Sequence, residues 1–229
     1  MGVFNKEEFN SFVLDNSIVG FFEKPITLKS GRMSNWYVNW RDIAEDVFLM
    51  DQLTNYVIAF TKGLGLEPDC FYGVPEGATK LGTLTQDKWA KQSPYYSQGS
   101  HVLPMGRGKH KDHGAAKDKY FVGVPKGNVI VLEDVTTTGD SLLSTIDYLI
   151  EAKVSIIAAF GLTNRMELRD DKQSVQQAVE AKGIPYHALS NALQLLPLAY
   201  KTHQPGEEIA KAIEQEFQQV GVEKLILLQ

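Results

Sequence analysis

Short apolar runs alternate with longer stretches of helical period along most of this 229-residue chain. Phe71-Tyr72, Val129-Ile-Val-Leu132, Ile156–Leu162 and Pro185–Leu189 read as buried strands. Leu142, Leu143, Ile146, Leu149 and Ile150 mark one face of a helix beginning near Gly139. Leu49, Leu53, Tyr56, Val57 and Phe60 mark another near 46–62, and Ile209, Ile213, Phe217 and Val220 a third near the end. Strand followed by helix, repeated, predicts crossover units. The expected fold class is therefore α/β: a mostly parallel central sheet flanked by helices, with ligands beyond the carboxyl ends of its strands.

Two segments break the rhythm. After an acidic helix at about 5–16, Pro25-Ile-Thr-Leu28 and Trp36-Tyr-Val-Asn39 suggest two strands around a turn at Gly31. Residues 1–40 are expected to form a small N-terminal hood packed on a core of 41–229. The second exception, Met105–Gly123, is rich in Gly, Lys and His and nearly lacks apolar residues before Tyr120. Such a stretch cannot pack a core, so a mobile loop is expected, with 105–119 free to act as a lid.

Composition narrows the classes. Apolar residues make up 43% and charged residues 22%, an ordinary globular balance. The single cysteine, Cys70, excludes a disulfide framework and any multi-cysteine metal site, and it fits a reducing compartment. A net charge of −5 argues against a broad nucleic-acid surface but not against a local anion site. The longest nearly apolar run, Val154–Leu162, has nine residues, about half of the ~18–20 that a membrane span needs. The N-terminus is polar where a signal peptide would be basic and then apolar, and Lys6 replaces the hydroxyl of a myristoylation signal. A cytoplasmic protein with neither membrane nor nucleic-acid partner is expected.

The most informative stretch is Val129-Ile-Val-Leu-Glu-Asp-Val-Thr-Thr-Thr-Gly-Asp-Ser141, a buried strand ending in two acids, then a hydroxyl-rich turn opening a helix. Backbone N–H groups of Thr136 to Asp140 would converge on an anion, with the helix N-terminus adding positive potential. Gly139 permits the positive φ such a nest needs. No lysine follows the glycine, so this is not the phosphate loop of nucleoside triphosphatases. Glu133 and Asp134 would repel a bare phosphate. They suit a ligand that also carries vicinal hydroxyls or a magnesium ion, as a ribose 5-phosphate would.

Glu133-Asp134-Val135-Thr136-Thr137-Thr138-Gly139-Asp140-Ser141 resembles the phosphoribosyl diphosphate (PRPP) signature of the type I phosphoribosyltransferases. Three further segments resemble orotate phosphoribosyltransferase: Leu28-Lys29-Ser30-Gly31-Arg32 followed by Tyr37-Val38-Asn39, the loop Arg107–Gly114, and Asn164-Arg165-Met166-Glu167. The resemblance implies a Mg²⁺-dependent homodimer that joins PRPP to orotate. It places Lys29, Arg107, Lys111, His113 and residues 133–141 on PRPP, and Tyr37, Val38, Thr137 and Arg165 on orotate. Lys111, His113 and Asp134 are the implied catalytic residues, with Mg²⁺ held mainly by PRPP and water. The residues agree on their own terms: Tyr37 and Val38 can form a flat wall, and Arg165 can offer a planar fork to a carboxylate.

Residues 107–119 hold five basic and two acidic side chains, a local +3 that suits a lid over a diphosphate. In dimers of that family the lid reaches the neighbouring subunit's site. The remaining histidines, His101, His110, His187 and His203, show no ligand spacing and are expected to be structural or solvated. Two departures stand out. Gly108 occupies a position where some relatives carry lysine, and Glu76 one where some carry Tyr-Lys, so the 75–78 loop is expected to offer only backbone donors. Two other readings fit the cradle: transfer to another base, or a non-catalytic protein that senses PRPP or a nucleotide.

Overall fold

The computed structural model describes residues 2–109 and 111–228. Strands β3 (Cys70–Gly73), β6 (Asn128–Thr136), β7 (Ser155–Asn164) and β8 (Tyr186–Asn191) form one parallel sheet in the order β3-β6-β7-β8. The expected α/β class is what forms. Helices α2 (Val47–Gly63), α3 (Thr79–Lys91), α5 (Asp140–Glu151), α6 (Val175–Glu180), α7 (Ala192–His203) and α8 (Glu207–Val220) cover it. Strand alternation divides the core between the two faces. Ile130 and Leu132 join Phe71, Phe160, α2, α7 and α8 on one side, while Val129 and Val131 join Tyr72, Tyr186, α5 and α6 on the other.

On α5 the buried stripe is Leu142, Ile146 and Leu149 with Thr145. Ile150, expected on that face, is 48% exposed. The helix α3 gave no clear apolar period, since its inner face includes Gly82, Thr85 and Gln86. Gly82 sits so close to β3 that an added Cβ would lie 2.2 Å from the Gly73 nitrogen, and Gln86 accepts from the Phe71 N–H at 2.9 Å. Close backbone approach and a polar bridge replaced the hydrophobic signal there.

The N-terminal segment folds as helix α1 (Lys6–Asp15), capped by Asn5, followed by the antiparallel pair β1 (Val19–Thr27) and β2 (Met33–Val38). Leu28 and Arg32 close the turn, and Gly31 takes φ +83° as the turn requires. Phe9, Trp36 and Trp40 share one continuous core with the sheet, so the hood is welded to it rather than hinged. The lone Cys70 is buried, and burial pushes its thiol up to about 12, which leaves it unreactive. Among the described residues no helix is long and apolar enough to cross a membrane.

The loop expected to be mobile is anchored at its base. Strands β4 (Met105–Gly106) and β5 (Phe121–Val122) pair, the short helix α4 (Ala116–Tyr120) precedes β5, and Tyr120 and Phe121 are buried. Those two aromatics supply the core contact that the polar tip lacks. His110 lies outside the described residues.

Candidate active site

The carboxyl ends of β6 and β7 and the turn of the hood meet around one cavity of about 540 Å³, within the usual range for a small-molecule site. Strand β6 runs past the two acids to Thr136, with Glu133 opposite Gly161, Val135 opposite Thr163 and Thr136 opposite Asn164. The run read as a buried strand, Val129–Leu132, ends four residues earlier. This has a consequence for Thr136, which remains a paired strand residue. It is fully buried, its Oγ1 is 2.7 Å from the Tyr186 hydroxyl, and its carbonyl accepts from the Arg165 N–H at 2.9 Å. Thr136 does not line the cavity, whereas Glu133, Asp134, Val135, Thr137, Thr138, Gly139, Asp140 and Ser141 all do.

Beyond Thr136 the chain turns sharply into α5. Gly139 has φ +73°, and a Cβ there would lie 2.8 Å from Val175 Cγ1, so both conformation and space demand glycine. Thr138 Oγ1 donates to Asp140 Oδ2 at 2.7 Å. That hydroxyl, together with the Arg169 guanidinium, holds the Asp140 carboxyl below its ordinary range. The helix N-terminus and a hydroxyl-lined turn thus face the cavity, the arrangement that suits a phosphate.

The paired acids differ. Glu133 is only 6% exposed, and its carboxyl is pushed well above the ordinary value, first by burial and then by the charge of Asp134. Asp134 is half-buried, and its Oδ1 accepts the Val135 N–H at 2.8 Å. Gly77 leaves it room: a Cβ at 77 would lie 2.4 Å from Asp134 Oδ2. A raised carboxyl favours the fold while protonated, and that contribution is lost as pH rises through the raised value. Glu133→Gln should therefore melt higher than the parent near neutral pH, by about 2–4 °C for each kcal/mol recovered. The gap should shrink towards pH 4. Thermal melts across pH 4–8 check this, and a pH-independent difference would contradict it.

The hood contributes Lys29, Tyr37 and Val38 to the same cavity. Lys29 Nζ reaches Ser141 Oγ at 2.9 Å across 112 positions of sequence, joining the hood turn to the first turn of α5. Arg165 borders the cavity but is only 1% exposed, and most of its fork is spent internally. Nε donates to Glu167 at 2.6 Å, Nη2 to Ser34 at 3.0 Å and Glu216 at 3.1 Å, and Nη1 to the Trp36 carbonyl at 3.3 Å. Its guanidinium also stacks 3.7 Å above the Trp36 ring. Only one Nη1 hydrogen is left for a ligand, far from the open two-pronged fork expected of it.

Three expected lid residues do not line this cavity. Arg107 faces an adjoining cavity of about 320 Å³, which shares Lys29, and its Nε donates to the Phe121 carbonyl at 3.1 Å. Lys111 and His113 are exposed and line neither cavity. Pro75, Glu76 and Gly77 of the loop expected to offer backbone donors line the main cavity, as does Asn39, while Trp40 and Arg41 just after β2 were not anticipated. Trp40 and Arg41 follow the Tyr37-Val38-Asn39 segment in sequence, and that adjacency was the available signal. Glu76 and Gly108, the two departures noted in sequence, touch: a Cβ at 108 would lie 2.0 Å from Glu76 Oε1. They form one packing feature, since a side chain at 108 requires the glutamate to move.

No family model matches the chain. It is 29% identical over 179 residues to the orotate phosphoribosyltransferase of Bradyrhizobium sp. (strain BTAi1), covering 75% of this chain and 88% of the relative. Against the enzyme of the same name from Lachnoclostridium phytofermentans, identity is 26% over 230 residues, with 95% and 98% covered. The crystal structure of orotate phosphoribosyltransferase from Francisella tularensis superposes with TM-score 0.67 at 20% identity, over 93% of this chain and 99% of that one. The chain has the type I phosphoribosyltransferase fold. In that fold the cradle at 137–141 and the acids at 133 and 134 sit at the carboxyl end of a central strand, with the hood closing over them.

Proposed function

We propose that this chain is an orotate phosphoribosyltransferase: it transfers ribose 5-phosphate from PRPP to N1 of orotate, giving orotidine 5′-monophosphate and diphosphate. The observation that carries the reading is the meeting of three elements in one cavity: the acid pair, the hydroxyl-lined turn and the hood's Lys29, Tyr37 and Val38. In this reading the turn from Thr137 to Ser141 takes the 5-phosphate, and Asp134, with Glu133 behind it, takes the ribose diol. Residues 41–229 carry the PRPP site, and residues 1–40 provide the wall for the base.

The C1′–diphosphate bond breaks as N1 of orotate bonds to C1′, and the N1 proton passes to the departing diphosphate or to water, so no strong general base from the protein is required. Bond breaking ahead of bond making leaves positive charge on the ribose ring, and the carboxylates at 133 and 134 favour it. Tyr37 and Val38 hold the planar base against the anomeric carbon, and the free Nη1 hydrogen of Arg165 addresses its edge. The departing diphosphate is the difficulty. Glu76, Glu133, Asp134 and Asp140 line the cavity against Lys29, Arg41 and an Arg165 already paired with Glu167 and Glu216. A polyanion needs more positive charge than that. A Mg²⁺ ion carried mainly on PRPP oxygens and water would add it. When bound, it would neutralise diphosphate charge.

Arg107, Lys111 and His113 would supply the rest from the lid. Since Lys111 and His113 lie outside their own cavity, delivery to the partner of a homodimer is the economical arrangement. The exposed Val47, Phe48 and Leu84 on the neighbouring helices α2 and α3 support such an interface.

Mixing protein, PRPP and Mg²⁺ with orotate, uracil or a purine tests the assignment by ultraviolet absorbance. Orotate absorbance should fall only when all components are present. Consumption of another base instead would establish a different acceptor, and no consumption of any base would favour the sensing protein.

A further inference from the structure

The segment after β7 carries a second arginine, four residues beyond Arg165, that does not line the cavity. Arg169 is 18% exposed and points at the back of the phosphate turn. Its Nη1 donates to the Thr138 carbonyl and to Asp140 Oδ1, the latter at 3.0 Å, while Nε reaches Asp171 Oδ2 at 3.5 Å. Its own backbone is fixed at both sides. The Arg169 N–H donates to the Gln173 carbonyl at 2.8 Å, its carbonyl accepts from Lys172 at 3.0 Å, and the Leu168 N–H donates to Val220 at 2.6 Å. The guanidinium is therefore mounted on a rigid strut.

The peptide it grips is the one most able to turn over. Thr138 and Gly139 share a trans peptide unit, in which the C=O and N–H point in opposite directions. Gly139 follows with φ +73°, and glycine imposes little barrier to rotating that plane. With the Thr138 oxygen held on the Arg169 side, the Gly139 N–H is directed away from Arg169, towards the cavity. If the unit flipped, a carbonyl oxygen would face the phosphate instead. Asp140 completes the clamp, since its carboxylate binds Arg169 on one oxygen and the Thr138 hydroxyl on the other.

We infer that Arg169 is a positioning residue for the phosphate turn: by holding the Thr138 carbonyl it keeps the Gly139 amide aimed at the ligand's phosphoryl group. This rests on reading residues 137–141 as the phosphate site. It assigns Arg169 an effect on PRPP and on any sugar phosphate, but not on the base.

The test uses the intact protein with ribose 5-phosphate as a calorimetric probe and PRPP and orotate in steady-state assays. Arg169→Ala should weaken ribose 5-phosphate and raise KM for PRPP about tenfold, the loss of one hydrogen bond to a charged group. KM for orotate should change less than about twofold, because no base contact is altered. Arg169→Lys, which keeps a cationic donor for the Thr138 oxygen, should recover most of the loss. Wild-type affinity in the Ala variant, or equal losses for PRPP and orotate, would overturn the positioning role. A parent protein that binds no ribose 5-phosphate would overturn the phosphate-site reading and this inference together. Should the Ala variant fail to fold, Arg169→Gln against Arg169→Lys carries the same comparison, with the lysine variant expected to bind more tightly.

Discussion

Asp134→Asn should lower turnover by about 10²–10³-fold, the scale for removing one preorganised electrostatic contact to a transition state. The fold should survive. The side chain is half-buried, its Oδ1 would still accept the Val135 N–H, and an amide is nearly isosteric with the carboxylate it replaces. Stability at neutral pH should hold or rise, because Asp134 is a principal charge pushing the buried Glu133 carboxyl upward. Activity and melting temperature would then move in opposite directions, a sign of strain kept for function. The measurement pairs steady-state kinetics with a thermal melt at pH 7. An Asn variant that turns over like the parent would remove the diol assignment, and with it the role of the acid pair.

Lys111→Ala should also lose about 10²–10³-fold in kcat, with little change in orotate affinity, because its proposed partner is the departing diphosphate. The structure makes the test sharper than sequence alone could. Lys111 lies outside its own cavity, and the Lys111 N–H bonds the Lys119 carbonyl at 3.2 Å as part of an anchored loop. If the lid acts on a neighbouring subunit, mixing Lys111→Ala with Asp134→Asn should restore sites that have one intact lid and one intact acid. Recovery of up to about a quarter of parental activity is expected from random pairing of two inactive protomers in a dimer. No recovery, or equal losses in kcat and orotate affinity for the single variant, would remove the shared lid.

Much of this site was legible before any coordinates. A strand running into Glu133 and Asp134, a turn of three threonines and Gly139, and a helix beginning at Asp140 are contiguous, so local chemistry announces them. The turn at Gly31 is equally local and forms as expected. Thr136 was misread because only the β7 ladder shows that the strand continues, leaving its hydroxyl against Tyr186 rather than in the cavity. Arg165 looked like a free fork because Ser34, Trp36 and Glu216, which occupy it, are 131, 129 and 51 positions away. The loop's polar tip gave no sign of the anchoring of Tyr120 and Phe121 at its base.

By itself, then, the order of residues determined the α/β class, the hydroxyl-rich turn and the acid pair, since each is announced by local runs read along the chain. Tertiary structure decided which side chains remain available to a ligand. It spent Arg165 on Trp36, Glu167 and Glu216, brought Lys29 to Ser141, and set Arg169 behind Thr138. A charged side chain is committed by whichever partner comes within hydrogen-bond reach once water is excluded, and the folded chain alone settles who those partners are.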